Sequence, residues 1–234
     1  MAKMAKLSVV ATPIGNLEDI TLRALRVLRE CDVIACEDTR QTHKLLAHYD
    51  ISKKPTISFH GNSGEKGFEK IIALLEEGKH VALVSDAGTP GVSDPGQELV
   101  SRVREHFEGD VAIEAIAGPS ALAAAISVAG LRAASFMFYG FLPLKKGRES
   151  LFSEIVESER ASVFYESSHR IVKALESLAA RLPDTRRIGV FRELTKLHEE
   201  AIIGSASEVL ARVMADPNKQ RGEFVVIIEA DTRR

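Results

Sequence analysis

The stretch HVALVSDAGTPGVSDPG, His80 to Gly96, decides the fold class, because an apolar run in it leads directly into a loop rich in glycine and proline. Residues 81–84 are all apolar, as in a strand that is buried on both faces of a parallel sheet. The sequence therefore predicts a strand followed by a ligand-sized loop, which is typical of an α/β protein.

The loop of this stretch carries two carboxylates, Asp86 and Asp94, and contains no lysine or arginine. It lacks both the G-K-[ST] of a Walker loop and the G-x-G-x-x-G of a dinucleotide site. Two carboxylates would repel a phosphate, but they suit hydroxyls, amines or a cation. A structural interpretation, in which the aspartates only cap turns or the following helix, stays open from the loop alone.

Strand and helix patterns alternate on both sides of the loop. Five apolar runs are predicted as strands, at residues 7–12, 32–36, 56–59, 80–85 and 111–117. Helical patterns separate them, at residues 17–29, 42–49, 68–78 and 97–107. Strands joined by helices of this length favour a parallel sheet with right-handed crossovers.

The pattern changes after Gly118. Helices are predicted at residues 121–129, 151–158, 170–182 and 207–215, and apolar strand runs at 136–142, 162–166, 188–194, 199–206 and 223–230. Several strands close together near the end favour a mixed sheet. We therefore predict two α/β domains, residues 1–117 with a mostly parallel sheet and residues 118–234 with a mixed sheet, and a ligand site in the cleft between them.

Composition bounds the classes of partner. The 234 residues have a formal net charge of -2, so a polyanion would have to be held by a local basic patch. Cys31 and Cys36 are not spaced as a C-x-x-C pair and are expected as reduced core thiols of a cytoplasmic protein. The seven histidines show no metal-ligand spacing, and His48, His80 and His106 are expected at the surface. No signal peptide or membrane helix is predicted.

Three further loops follow predicted strands in the same way. They are TPIGN (Thr12 to Asn16), EDTR (Glu37 to Arg40) and GPSA (Gly118 to Ala121). Because the carboxyl ends of parallel strands meet at one edge of a sheet, we expect these loops to collect backbone donors there beside the loop at 85–96. Such turns occur in every α/β protein, so the expectation of a site depends on all four together.

Charged residues follow apolar strands in the second half as well, in FYESSHR (Phe164 to Arg170) and FRELTKLHEE (Phe191 to Glu200). Each one alone is typical of a helix cap. Together they suggest the polar floor of a cleft, formed by Glu166, His169, Arg170, Arg192, Glu193 and Lys196.

A basic segment, LPLKKGRES, precedes one of the predicted helices. It holds Lys145, Lys146 and Arg148, and it is the best local candidate for contacts with phosphates. Arg170, Arg186 and Arg187 are candidate additions, and a solvated loop is the alternative interpretation.

The motifs as an ordered set are more specific than any of them alone. TPIGNLEDITLRAL, EDTR, ALVSDAGTPGVSDPG, GPSALAAAISVAGL, YGFLP, FYESSHR, RELTK and GEFVVIIE cover nearly the whole chain in this order. This series closely resembles the 16S rRNA (cytidine-2'-O)-methyltransferases, the ribosomal RNA small subunit methyltransferase I family of the tetrapyrrole-methylase superfamily. The segment SFHGNSG departs from the family's His-x-x-Asn-Glu pattern, since the glutamate is missing and only His60 remains.

The resemblance implies a class III S-adenosylmethionine methyltransferase of two α/β domains, with the methyl donor in the interdomain cleft and a homodimeric assembly. It implies that the substrate is a cytidine of 16S rRNA in the decoding region of the 30S ribosomal subunit, methylated on its ribose 2'-hydroxyl. The donor is expected to contact Pro13, Asp86, Gly88, Thr89, Val92, Gly118, Ser120, Ala121, Tyr165, Leu194 and Gly222. No metal is required.

A cationic donor also agrees with the carboxylates of the loop at 85–96. A ribose hydroxyl is a weak nucleophile, so a base or charge stabiliser is expected beside it. The candidates are Glu166, Glu193, Lys196 and His60, and the sequence does not choose among them. The RNA is expected to contact Arg40, Lys145, Lys146, Arg148, Arg170 and Arg192.

Two alternatives stay open. A methylase of the same fold could act on a small tetrapyrrole-like molecule, or the chain could be a non-catalytic ribosome-binding module. Methylation of 30S subunits would separate the RNA enzyme from both.

Overall fold

The computed structural model describes residues 5–51, 54–59 and 64–231, which divide into two compact units between Ser120 and Ala121. The boundary predicted from the sequence, between residues 117 and 118, lies three residues earlier.

The first unit contains a sheet of five parallel strands, as the sequence predicts. The strands are β1 (Lys6–Val10), β2 (Val33–Cys36), β3 (Thr56–Ser58), β4 (His80–Val84) and β5 (Ala112–Ile116). Their order is β3-β2-β4-β1-β5, and every neighbouring pair is parallel. Strand β4, which leads into the loop at 85–96, is therefore central.

Four helices connect these strands. They are α1 (Leu22–Glu30), α2 (Thr39–His48), α3 (Gly64–Glu76) and α4 (Gly96–Phe107). The helix predicted to begin at Leu17 begins later, because a short 3-10 turn at Leu17–Asp19 comes first. Thr21 then caps α1 by accepting a hydrogen bond from the Ala24 amide through its side chain.

The sheet of the first unit is covered on both faces. One apolar cluster packs around Val10, Leu28 and Ile34, and the other around Leu7, Ile71 and Leu83. Alternate residues of β1 thus point to opposite faces, as strand geometry requires. The apolar composition of residues 81–84 in the central strand follows from this double coverage.

Two sequence expectations about the first unit have different outcomes. Cys31 and Cys36 are both buried, as expected. The expectation that His80 lies at the surface is wrong, because its position on the central strand leaves it only 7% exposed. Its Nε2 lies 2.7 Å from the Ser8 hydroxyl on the neighbouring strand, so the ring is buried with a hydrogen-bond partner.

The second unit contains a mixed sheet, again as the sequence predicts. Its strands are β6 (Phe136–Phe141), β7 (Ala161–Ser167), β8 (Ile188–Arg192), β9 (Glu200–Gly204) and β10 (Glu223–Ile228). The order is β6-β7-β10-β8-β9, with β6 and β7 parallel and the other pairs antiparallel. The helices are α5 (Ala121–Ala129), α6 (Arg148–Glu157), α7 (Ile171–Ala179) and α8 (Ala206–Met214). Among the described residues, no helix combines the length and the apolar character needed to cross a bilayer.

Arg186 holds together one end of the second unit. It is 3% exposed, and its guanidinium donates to the backbone carbonyls of Glu229 at 2.9 Å and Val156 at 2.7 Å. A further nitrogen donates to the Ser158 carbonyl at 2.9 Å. The expectation that Arg186 adds to a phosphate-binding surface is therefore wrong, because these carbonyls bind its donors inside the protein.

Replacing Arg186 with methionine removes these charge-assisted hydrogen bonds while keeping a long apolar stem. We expect Arg186→Met to lower the free energy of unfolding by about 3 kcal/mol, since three buried carbonyls lose their donor. Urea unfolding followed by circular dichroism measures this loss. The exposed neighbour supplies the control, and Arg187→Met should change stability by less than about 0.5 kcal/mol. Equal losses in the two variants would show that Arg186 has no such role.

Candidate functional site

The loops predicted to form a site lie at one edge of the first sheet. Because all five strands are parallel, the carboxyl ends of β1, β2, β4 and β5 share that edge. The loops that follow these strands contact one another through backbone and side-chain hydrogen bonds. The loop after central β4 makes contacts with each of the other three.

The loops after β1 and β4 are joined by a two-residue bridge. The Thr12 amide donates to the Gly88 carbonyl at 2.9 Å, and the Gly88 amide donates to the Thr12 carbonyl at 3.0 Å. Gly88 has φ of 81°, and a Cβ built on it would lie 3.3 Å from Ile14 Cγ2. A side chain here would therefore combine backbone strain with crowding, which explains the glycine.

The loop after β4 also contacts the loop after β5. The Thr89 hydroxyl donates to the Pro119 carbonyl at 2.9 Å. A Cβ built on Gly118 would lie 3.0 Å from Ala11 Cβ, so this residue too is limited by close approach of the chain. Two of the glycines expected at a donor site thus have a packing reason to be glycine.

Asp86 links the loop after β4 to the loop after β2. Its Oδ1 accepts a hydrogen bond from the Asp38 amide at 3.0 Å, and its own amide donates to Glu37 Oε1 at 3.3 Å. The Asp86 side chain remains exposed at the sheet edge. The hydrogen bond from Arg40 lowers the pKa of the neighbouring Asp38 carboxyl to about 2, so this carboxylate is charged at neutral pH.

Asp94 has a different role from Asp86. Its Oδ1 accepts hydrogen bonds from the amides of Gly91 and Gly96, both at 2.7 Å. Both amides lie in the turn that leads into α4. The structural interpretation of the two aspartates therefore holds for Asp94, whose carboxylate fixes the turn.

A cavity of about 170 Å³ opens beside Asp86 in the first unit. Its walls come from the loop after β1, from one face of α2 and from the end of β4. The residues that line it are Thr12, Pro13, Leu17, Gln41, Thr42, Lys44, Leu45, Val84, Ser85 and Asp86. Sequence reasoning named Pro13 and Asp86 as methyl-donor contacts and placed Thr12 in the loop TPIGN, but it did not single out Ser85, whose only signal was its place at the end of a predicted strand.

Tyr165, the aromatic residue of the set expected to contact the methyl donor, is held by a hydrogen bond and by two ring contacts. Its hydroxyl accepts a hydrogen bond from the Leu122 amide at 3.1 Å. Its ring makes edge contacts with Phe138 and Phe141, with centroids 5.0 and 5.4 Å apart. Tyr165, which is expected to contact the methyl donor, is thus held against the start of α5.

The segment after β8 holds two catalytic candidates together. Glu193 Oε1 accepts from Lys196 Nζ at 2.9 Å and from the Glu223 amide at 3.0 Å. Lys196 also pairs with the Glu223 carboxylate at 2.8 Å. A Cβ on Gly222 would lie 2.5 Å from Glu193 Oε1, so Gly222 gives this carboxylate its space.

The ion pair between Glu193 and Lys196 shifts the pKa values of both side chains. Burial alone would raise the pKa of the Glu193 carboxyl, but the hydrogen bonds from Lys196 and the Glu223 amide outweigh it and lower that pKa. Burial would lower the pKa of Lys196, but the bonds to Glu223 and Glu193 outweigh it and raise that pKa. Glu193 is therefore a weak base, and Lys196 is a stable cation. Leu194, between them, is 9% exposed.

Glu166 is buried among cations. Its side chain is fully shielded from solvent, and it pairs with Arg148 at 2.9 Å and Arg170 at 2.8 Å. The Ser167 amide also donates a hydrogen bond to Glu166 Oε1 at 2.8 Å. Because both of its oxygens are occupied by Arg148, Arg170 and the Ser167 amide away from solvent, the geometry favours a structural role for Glu166.

The other candidates for RNA contact differ in exposure. Arg192 is 9% exposed and donates to the carbonyls of Asn218 and His198 at 3.1 and 3.3 Å, so its charge is turned inward. Arg40, Lys145 and Lys146 are exposed. His60 lies outside the described residues.

Within the ranges 5–51, 54–59 and 64–231, no group of three or more His, Cys, Asp or Glu side chains is placed to hold a metal ion. The polar groups around the cavity at the edge of the first sheet are the exposed Asp86 carboxylate, the hydroxyls of Thr12, Thr42 and Ser85, and the side chains of Gln41 and Lys44. Such a set can bind hydroxyls, amines and a cation.

Comparison with known sequences identifies the family. Residues 6–210 match the family model of the Tetrapyrrole (Corrin/Porphyrin) Methylases. A ribosomal RNA small subunit methyltransferase I of Thermotoga maritima is 45% identical over 226 residues, which are 96% of this chain and 98% of the relative. The protein of the same name from Escherichia coli O157:H7 is 43% identical over 96% of this chain and 77% of its own.

Solved structures show the same fold. The methyltransferase CobJ superposes with a TM-score of 0.71 at 20% identity, covering 98% of this chain and 96% of its own. A uroporphyrin-III C-methyltransferase from Thermus thermophilus, complexed with S-adenosyl homocysteine, superposes with a TM-score of 0.65 at 19% identity, covering 96% and 97%. These identities support the fold alone.

The sequence relatives and the matched family model together confirm the resemblance drawn from the ordered motifs. The chain belongs to the tetrapyrrole methylase family and, within it, to the ribosomal RNA small subunit methyltransferase I family.

Proposed function

We propose that this protein transfers a methyl group from S-adenosylmethionine to the ribose 2'-hydroxyl of a cytidine in the decoding region of 16S rRNA. The observation that carries the proposal is the 45% identity to an rRNA methyltransferase over nearly the full length of both chains. The resemblance also implies the 30S subunit as the form of the substrate, a homodimer and a cytoplasmic location. These remain parts of the proposal.

The edge of the first sheet fits the methyl donor. S-adenosylmethionine, when bound, supplies an electrophilic methyl group on a sulfonium, and it also carries an ammonium and two ribose hydroxyls. The exposed Asp86 carboxylate can accept from hydroxyls or the ammonium, and no residue from 85 to 96 brings a positive charge. A loop without lysine, which is unsuited to phosphate, is suited to a cationic ligand.

The proposed donor contacts are those that the family resemblance implies. In the first unit they centre on the loops joined by the Thr12–Gly88 bridge and the bond from Thr89 to Pro119. The full set proposed to hold the donor is Pro13, Asp86, Gly88, Thr89, Val92, Gly118, Ser120, Ala121, Tyr165, Leu194 and Gly222. The hydrogen bonds among these loops fix the first-unit residues of this set relative to one another.

Protonation separates the candidates for the acceptor chemistry. Glu166 is saturated with donors, and Glu193 has a lowered pKa. Lys196, whose pKa is raised, is the cation best suited to stabilise negative charge that develops on the 2'-oxygen. We propose this role for Lys196, while exposed Arg40 suits a flanking phosphate.

The two alternative functions predict different products. The solved tetrapyrrole methylases are too distant, at 17–20% identity, to carry their substrates over to this chain. A methylase of small tetrapyrroles would label such a compound and leave 30S subunits unlabelled. A non-catalytic module would bind the donor or the ribosome without transfer to any substrate.

Methyl transfer to the ribosome is the direct test of the proposal. We expect purified protein with tritiated S-adenosylmethionine to label 30S subunits from a strain that lacks this modification. Mass mapping should place one methyl group on the ribose of a cytidine in the decoding region. Label on a uroporphyrinogen and none on 30S subunits would support the small-molecule alternative instead.

Asp86 and Asp94 form a matched pair for testing the donor site. We expect Asp86→Asn to weaken donor binding by roughly tenfold or more, because a charge-assisted bond is lost while the amide oxygen can still accept from Asp38. Asp94→Asn removes the same charge but keeps an acceptor for the Gly91 and Gly96 amides, so binding should stay within about threefold. Calorimetric titration with S-adenosyl homocysteine measures both, and similar affinities for the two variants would reject the assignment of Asp86.

Lys196 can be tested by its effect on turnover. We expect Lys196→Met to lower kcat on 30S subunits by about 100-fold, since a cation beside developing charge is removed. Donor affinity should change little. Lys173→Met, which alters an exposed lysine of α7, serves as the control and should keep full turnover. An unchanged kcat in Lys196→Met would reject the catalytic role and show that Lys196 serves only to pair with Glu193 and Glu223.

A further inference from the structure

The buried Glu166 carboxylate organises two arginines. Arg148 Nη2 and Arg170 Nε each bind one of its oxygens, and the side chains of these arginines are only 13% and 19% exposed. Both guanidiniums sit at the end of β7, beside the start of α6. The carboxylate supplies the counter-charge that allows two cations to be largely buried next to each other.

The same two arginines grip consecutive backbone carbonyls. Arg170 Nη1 donates to the Leu142 carbonyl at 2.7 Å, and Arg148 Nη1 donates to the Pro143 carbonyl at 3.2 Å. The Arg148 amide closes the far side of the turn by donating to the Lys145 carbonyl at 3.2 Å. Residues 142–145 are thus held at their start by the two arginines that pair with Glu166, and at their end by the Arg148 amide.

The held segment presents an exposed basic tip, which we define as residues 144–146. Leu144 is 77% exposed, and Lys145 and Lys146 are both exposed. In the described part of the chain no acidic side chain forms an ion pair with Lys145 or Lys146. Two uncompensated positive charges on a rigid support are therefore offered to solvent by a protein whose net charge is -2.

We propose that Glu166 is a positioning residue, which through Arg148 and Arg170 holds the basic tip for contact with the phosphate backbone of the RNA substrate. This inference rests on the proposed function. Fixing the tip in advance reduces the ordering cost of binding, so the lysines contribute more than they would on a flexible loop. Phosphates are the partner because two lysines without acidic neighbours provide charge but no pattern for reading bases.

The tip itself is tested with a charge-matched pair of double variants. We expect Lys145→Ala/Lys146→Ala to raise the KM for 30S subunits about tenfold and to reduce the slope of log affinity against log salt by about 1 to 2. Lys66→Ala/Lys70→Ala removes the same charge from exposed positions of α3 and should change neither quantity. Equal effects of the two pairs, or no effect of the first, would overturn the assignment of the tip.

The role of Glu166 is tested by limited trypsin digestion combined with kinetics. Glu166→Gln keeps the side-chain shape but removes the counter-charge, so we expect cleavage after Lys145 and Lys146 to accelerate about tenfold as the tip opens locally. The KM for 30S subunits should rise toward that of the lysine variant, with the affinity for S-adenosyl homocysteine retained as evidence that the first unit is intact. Unchanged cleavage with a loss of kcat at saturating 30S would instead identify Glu166 as a base and overturn the proposal.

Failure of this inference is distinguishable from failure of the proposed function. If the unaltered protein does not methylate 30S subunits, the proposed function fails, and the salt dependence of 30S binding by the two lysine pairs still tests the tip as an RNA contact. The trypsin experiment contains no RNA, so it tests the positioning role of Glu166 whether or not the protein methylates 30S subunits. Unchanged cleavage in Glu166→Gln rejects that role by itself.

Discussion

The pair of hydrogen bonds between Thr12 and Gly88 is the constraint on which the site of the first unit depends. It joins the loops after two adjacent parallel strands directly at the point where both strands end. Gly88 can take part only because it has no side chain, since its φ is positive and Ile14 lies close to the position of a Cβ. Asp86, two residues before Gly88, stays exposed at the rim of the cavity. The geometry proposed to receive the donor thus follows from backbone pairing.

Charge is arranged differently in the second unit. There, charged side chains that follow strands are paired with one another or with carbonyls, as in Glu166 with its two arginines and Arg192 with the Asn218 carbonyl. Lys196 remains a cation between two carboxylates. Buried charges of this kind are costly to break, because the partner is left without compensation. The second unit therefore holds these cations in place, each paired with a carboxylate or a carbonyl.

The sequence predicts the order of strands, helices and loops along the chain better than it predicts which charged side chains contact which groups in space. Hydrophobic periodicity was sufficient for the parallel and mixed sheets, and the glycine-proline loops marked the sheet edge. Periodicity was not sufficient for Arg186. An arginine at this position was expected to contact a ligand at the surface, whereas its guanidinium donates to three backbone carbonyls inside the protein. The sequence also left Glu166 and Glu193 equal as bases, because their difference lies in donors that come from distant segments. Residue type and position cannot show which buried group neutralises which charge.

Hydrogen–deuterium exchange with and without S-adenosyl homocysteine tests the central claim, that the edge of the first sheet binds the methyl donor. The account predicts slower exchange concentrated in residues 11–16, 84–92 and 117–120, where the loops after β1, β4 and β5 meet. Segments at the opposite ends of the same strands should be unchanged and provide an internal reference. Binding that protects other segments and leaves these three unaffected would contradict the account.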